Sequence, residues 1–323
     1  MFTTGNTGQL RRSEVWSAQL KEVLEDELMG QGYVRWLSEF PDGDQFTIPS
    51  IGESTIRNYT ENSAVVYDPF DTGEFTFTID KYKSAATYIT KKAMQDGFYM
   101  SQLVASFVPK HTRALMETLE TDVFALGAGG ASGGQTAADD NDINGAEHRW
   151  VAQGGSNTVS VLDFAKALYA LKKANVPQQR LVAIVDPSAE YAINAITNIS
   201  NVSNNPRWEG LIETGIGSGM SFIKNIYGFD VYTSNYLADA GAAQDGSETI
   251  DGTACTNGKC NLFFSAAGDD ILPFVGAWRQ TPEVEEEYNK DFQRDEYVVT
   301  ARYGLKVYRP ENLVVVVSDT TNV

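Results

Sequence analysis

The sequence is short of cations. Its 323 residues hold 25 Lys and Arg against 43 Asp and Glu, a formal net charge of −18. Tight binding of nucleic acid needs Lys and Arg to displace counterions, so a nucleic-acid-binding module is excluded as the main role. A wall of this charge repels packed DNA and leaves it mobile, so enclosing nucleic acid stays open; plain solubility accounts for the charge equally well. The shortage is also local. No Lys or Arg stands between Arg113 and Arg149, and Lys259 alone stands between Lys224 and Arg279.

Long apolar runs are missing too. None approaches the ~20 residues that a membrane-spanning helix needs, so no membrane partner is expected. The first ten residues lack a basic-then-apolar leader, and synthesis in a cytoplasm is expected. Cys255 and Cys260 are the two cysteines. They are too few for a disulfide scaffold and, without nearby histidines, for a zinc site. Four intervening residues allow a small disulfide loop; a pair of free thiols on a loop is the simpler expectation. The histidines, His111 and His148, stand without a Gly-x-Ser-x-Gly elbow or a paired ligand. No catalytic residue and no cofactor is expected.

Apolar residues make up 42% of the chain, enough for a real core. Residues 1–45 have the character of an arm. A helix capped by Ser13 would carry Trp16, Leu20 and Leu24 at i, i+4, i+8, a narrow stripe that needs a partner surface. Residues 45–92 alternate like β structure at Phe46 and Ile48 and again at Phe75, Phe77 and Ile79, around a polar excursion over 52–73. A lone ribbon of this kind is marginal in water, so it wants a surface to lie on. Residues 94–126 follow a helical period, with Pro109 starting a segment or kinking a longer one and Gly127 as the stop. A glycine-rich acidic stretch fills 127–157.

From Ser160 the pattern turns α/β. Ser160 and Asp163 form a capping box, 180–185 is a short buried strand, and Asp186-Pro187 opens a helix. Strands are expected at 229–233 and 262–264, with 238–260 a surface loop between them. The end is β again: 278–288, 297–308 and 313–317. A core built from the first β region, the helix and this return would embrace the α/β module as an insertion.

That order, together with Gly276-Ala277-Trp278-Arg279, Asp295-Glu296-Tyr297, the run from Arg302 to Val307, and Arg309-Pro310-Glu311-Asn312-Leu313-Val314, resembles the major capsid proteins of tailed double-stranded DNA phages. Leu181 to Pro187 and Tyr227 to Tyr232 add to the likeness. The resemblance implies an α+β, Hong Kong 97-type fold. Its parts would be an N-terminal arm (1–45), an extended β-hairpin loop (46–92), a spine helix with the first part of a peripheral domain (93–157), an α/β axial domain (158–264) and the peripheral β return (265–323). It implies self-assembly into hexamers and pentamers that close an icosahedral shell around the phage genome, built in the host bacterial cytoplasm, with the extended loop lying over a neighbouring subunit. A separate scaffolding protein, a portal protein and a decoration or cement protein are the partners it implies. Some relatives crosslink a loop Lys to an Asn; the excursion here has Arg57 but no Lys, with Lys81 and Lys83 at its base, so no isopeptide crosslinks are expected. An encapsulin-type nanocompartment is the alternative within the same fold. An α/β enzyme with a β accessory region is the alternative outside it.

Three further strings carry chemistry on paper. Asp140, Asp142 and Asn144 with Gly145 match the first half of a calcium loop, but Val151 replaces the acid at position 12, and an Asp/Asn-rich turn explains them as well. The glycines of 215–219 lack the sixth-position Gly of a dinucleotide fingerprint and suggest a turn. Glu283, Glu285 and Glu287 alternate and share one face of a strand, as a charged edge or a contact for Arg57, Arg279 or Arg294 of a neighbour.

Overall fold

The computed structural model describes residues 28–37, 45–51, 72–96, 100–129, 142–195 and 222–321, with Ile56, Asn58, Glu61, Asn62 and Ala64 between them. Trp16, Leu20, Leu24, Arg57, Asp140 and the 215–219 glycines lie outside the described residues.

In chain order the elements are β1 (Val34–Leu37), β2 (Gln45–Ile51), β3 (Thr72–Thr78), β4 (Lys81–Thr90), α1 (Lys91–Asp96), α2 (Met100–Ala125), β5 (Asp142–Ile143), β6 (Ala146–Glu147), β7 (Arg149–Val151), α3 (Val161–Lys173), β8 (Leu181–Val185), α4 (Pro187–Ala195), β9 (Phe222–Ile226), β10 (Phe229–Thr233), β11 (Glu248–Ile250), β12 (Thr253–Cys255), β13 (Gly258–Ser265), β14 (Phe274–Asn289), β15 (Arg294–Val307) and β16 (Val314–Asp319). The fold is α+β, as the family resemblance implied.

β2 and β3 pair antiparallel across the excursion, Phe46 opposite Phe77 and Ile48 opposite Phe75. The long C-terminal strands form a four-stranded sheet in the order β1-β14-β15-β4. One face of it carries α2. Leu115 packs on Val299 and Ala301 there, with Ala85 and Trp278 alongside. Polar groups fasten the same contact: Asp122 of α2 receives Lys81 Nζ at 2.8 Å and Lys83 Nζ at 3.7 Å, and accepts from Tyr303 OH at 2.7 Å. The buried Glu120 carboxylate, two residues earlier on α2, accepts the backbone N–H groups of Met29 (3.0 Å) and Gly30 (2.7 Å), which fixes where the chain before β1 meets the helix. Pro109 is exposed, lies inside α2 and starts no new segment, while the described helices are α1 up to Asp96 and α2 from Met100. Gly127 is required for space: a Cβ there would sit 2.5 Å from Leu262 Cδ2, so its glycine lets the helix end approach β13.

The second sheet has six strands, β7-β16-β13-β8-β10-β9. It is covered on both sides, so its strands are apolar without alternation. Leu181, Ala183, Val185, Phe263, Val314 and Val316 face α3, against Phe164, Ala167, Ala170 and Leu171. Val182, Ile184, Leu262, Phe264, Val315 and Val317 face the other way, onto Leu119, Val123 and Phe124 of α2 and onto Tyr303, Leu305 and Val307 of β15. Phe164, Phe229 and Phe263 meet edge to face, with centroids 5.1–6.3 Å apart. The expected capping box is present and does more than cap. Asp163 accepts from Ser160 N (2.8 Å) and also from Trp150 Nε1 (3.0 Å) and Gln153 N, tying β7 to α3. Asp186 accepts from Ser188 N at 2.9 Å at the start of α4, as its sequence position suggested.

Two expectations are corrected. β16 falls within the expected peripheral return (265–323) and β7 within its expected first part (93–157). Both belong instead to the six-stranded sheet, where β16 pairs with β13 and with β7. Val314 to Val317 are all fully buried, and only a sheet covered on two sides can bury four consecutive residues. The stretch 238–260 is no surface loop. It holds the β11–β12 hairpin and the start of β13, and buries Ile250, Cys255 and Cys260. An ion pair organises it. The Arg149 side chain is 0% exposed and holds Glu248 through Nε–Oε1 (2.9 Å) and Nη2–Oε2 (2.5 Å), while Nη1 donates to Gly127 O at 2.6 Å. Both thiols are free, so no disulfide loop closes, and burial pushes the Cys255 thiol up to about 11.

Leaving one partner of a buried pair uncompensated costs about 3–5 kcal/mol. Arg149→Met is therefore expected to lower the urea midpoint of the unassembled chain sharply, and Glu248→Gln by less because the amide still accepts; equal midpoints for both variants and the parent would refute this account of the pair. Cys255 and Cys260 are expected to resist alkylation in the folded chain and both to react after unfolding, with the same mass shift whether or not a reductant is present.

Candidate assembly surface

Side chains alternate across the four-stranded sheet, so what does not face α2 faces away. Register places Glu283 opposite Thr300, Glu285 opposite Val298 and Glu287 opposite Glu296. On the next strand Ser84, Ala86 and Tyr88 continue the same rows. The three alternating glutamates thus share one outward face. Glu285 and Glu287 are exposed and have no partner among the described residues, while Glu283 accepts from Gln280 Nε2 at 3.2 Å. β1 pairs with β14 only as far as Ala277, so past that point this edge has no strand neighbour among the described residues. A bare edge invites pairing, and a row of like charges with Pro282 and two register shifts keeps it from joining another strand indiscriminately.

Glu287 and Glu296 are like charges directly opposite, an arrangement that costs stability unless relieved. Glu296 is relieved by Arg294 Nε (2.6 Å) and Asn289 Nδ2 (3.1 Å), and the bond from Arg294 holds its carboxyl below the usual range. The Arg294 guanidinium also lies 4.5 Å from the Tyr88 ring centre and 4.7 Å from that of Phe292. Arg294 is therefore engaged within its own chain. Arg279 is exposed beside the first register shift of β14.

The sheet ends in a tip that the sequence did not reveal. The turn from β14 to β15 is closed by Asn289 Oδ1, which accepts from Asp291 N at 3.1 Å and from Phe292 N at 3.4 Å. Lys91 N donates to Gln293 O at 2.9 Å, so α1 sits against the turn although some 200 positions separate them. Lys91 Nζ lies 5.5 Å from the Tyr288 ring centre. Phe292 is 65% exposed and Tyr88 59%, with Met94 and Tyr288 exposed nearby. No periodicity within either segment could report this meeting.

Elsewhere Asp142 and Asn144 occupy a tight hairpin. Asn144 and Gly145 have φ of 53° and 72°, the pattern of a type I′ turn between β5 and β6, and Asn144 Nδ2 donates to Lys173 O at 3.1 Å. Glu147 pairs with Lys166. Asp142 and Asn144 are thus placed as an Asp/Asn-rich turn would have them, and among the described residues no three His, Cys, Asp or Glu side chains gather to hold a metal. His148 is buried and burial lowers its pKa; its Nδ1 is 3.0 Å from Ala146 O. A cleft of about 580 Å³ between residues 154–162 and α4 is lined by backbone, aliphatic and hydroxyl groups, with Tyr191 its ionisable side chain. Lys81 and Lys83, at the base of the excursion, are both held by Asp122.

A family model described as phage capsid protein matches residues 73–316, well over half the chain. No curated protein matches it by sequence. Among solved structures, the fold is similar to a chain of the cyanophage Pam1 capsid asymmetric unit (TM-score 0.70, 13% identity, 100% of each chain covered). It is also similar to a chain in the asymmetric unit of the bacteriophage PhiM1 mature capsid (TM-score 0.69, 12% identity, 97% of this chain and 93% of that one) and to a chain of Mycobacterium phage Che8 (TM-score 0.65, 19% identity, 97% and 98%). These likenesses cover both sheets and the helix between them, and at such low identity they speak for the Hong Kong 97-type fold. With the family model spanning β3 to β16, the chain belongs to the phage capsid protein family.

Proposed function

We propose that this chain is the major subunit of an icosahedral shell around the double-stranded DNA of a tailed phage, and that it acts as structure rather than as catalyst. Membership of the capsid family carries the reading, and the unpartnered acidic face of the four-stranded sheet fits it. Repeated contacts between copies, arranged as hexamers and pentamers, would be the functional surface. The arm with Trp16, Leu20 and Leu24, the excursion with Arg57, and the strand pair bearing Arg279, Glu283, Glu285, Glu287 and Arg294 are the interface elements proposed. The net charge of −18 suits an inner wall that repels DNA and does not bind it by sequence. Assembly would take place in the host bacterial cytoplasm on a separate scaffolding protein, with a portal at one vertex and a decoration or cement protein outside.

Electron microscopy of the expressed chain, alone and with its scaffolding partner, tests this reading: rings, tubes or shells are expected, and a permanent monomer in both conditions would count against it. Each exposed ion pair is worth only about 0.2–1 kcal/mol, but the contact recurs in every copy. Glu283→Lys/Glu285→Lys/Glu287→Lys is therefore expected to fold normally by circular dichroism yet to yield far fewer shells. With Lys81 and Lys83 held by Asp122, boiled particles are expected to run as a single monomer band on a denaturing gel; a ladder surviving reductant would reveal the covalent crosslinks that this reading omits.

A further inference from the structure

The tip of the four-stranded sheet exposes three lysines beside two exposed aspartates, Asp96 and Asp291, a local excess of cations in an acidic chain. Lys91, Lys92 and Lys290 are exposed around Phe292, Tyr88, Tyr288 and Met94, and Arg294 stands among them. Lys92 and Lys290 have no ion-pair partner among the described residues. Exposed aromatics beside lysines form an amphipathic surface suited to an anionic, partly apolar partner.

We propose that this tip docks on the row Glu283, Glu285, Glu287 of a second copy of the chain. The inference rests on the shell reading and names the surface that meets the acidic face. Charge complementarity selects the occupant. The row runs over five residues of extended strand, about 13 Å from first to last, and presents two unpaired carboxylates on one face. Val298 and Ala86 of neighbouring strands share that outward face, so it offers apolar surface to Phe292 as well as charge. The chain cannot satisfy itself, because the row and the tip lie along one continuously paired ribbon, β14 with β15, which cannot fold back on itself. Tip and row are different surfaces, so the contact is head-to-tail and closes into a ring when the rotation between copies allows. Arg294, held by Glu296 and two rings, positions the tip aromatics and is not the cation that crosses.

Paired cysteines test the contact, since Cys255 and Cys260 are buried. Positions 285 and 290 are too far apart along one ribbon to bridge within a chain. Mildly oxidised particles of Glu285→Cys/Lys290→Cys are expected to give a reducible ladder of dimers and larger species, and each single variant is expected to stay monomeric. Particles seen by microscopy without a ladder overturn the inference and leave the shell reading standing; no particles under any condition, for the parent chain too, overturn both. Dimers from Lys290→Cys alone would mean that tips meet tips, which also overturns it. In a second arm, Lys92→Glu/Lys290→Glu is expected to cut shell yield at least tenfold, and adding Glu283→Lys/Glu285→Lys/Glu287→Lys is expected to restore much of it. Normal shells of the lysine variant that package less DNA would identify nucleic acid as the partner of the tip and reject a second copy.

Discussion

The C-terminal half of α2 has sheet on two sides, and most of the architecture follows from that. Leu115 meets the four-stranded sheet, while Leu119, Val123 and Phe124 belong to the core shared with the six-stranded sheet and the end of β15. Burying apolar surface is worth roughly 25 cal/mol per Å², so a helix with apolar contacts toward both sheets holds them together more firmly than any one ion pair could. The polar groups of the helix serve the same junction. Glu120 holds the chain entering β1, Asp122 holds β4 and β15, and the carbonyl of Gly127 receives Arg149 from β7.

A chain with so few cations places them selectively. Arg149 is spent in the interior, where its fork binds Glu248 and the end of α2 and so brings a polar hairpin into the core. Lys81 and Lys83 brace the helix against the sheet. Arg294 offsets the repulsion between Glu287 and Glu296 and orders two aromatic rings. The outward face of the four-stranded sheet is left with acid along its open edge and lysine at its tip. A shell subunit would gain from that division, because complementary surfaces on one molecule would steer copies together.

Long strands with one face on a helix and one face outward show their role in their pattern, and β4 and β15 do so: intermediate or buried residues alternate with more exposed ones along both. The capping box at Ser160, the Asp186-Pro187 start of α4 and the strand Phe229–Thr233 were legible for a similar reason, since each depends on neighbours within a few residues. The type I′ turn at Asn144-Gly145 was legible only as a choice between turn and metal loop, because the same oxygens serve either and the partner of Asn144 lies 29 positions away.

By itself the sequence determined the class of elements, their order, the lack of cations, and a family likeness carried mainly by the closing strands. All of these are local or additive properties of the chain. Tertiary structure alone decided that β16 and β7 join the α/β sheet, that Glu248 and both cysteines are buried, and that Lys91 meets the turn after β14. Each of those depends on a contact between residues far apart in sequence, and the energy of such a contact is set by what surrounds it once the chain has closed.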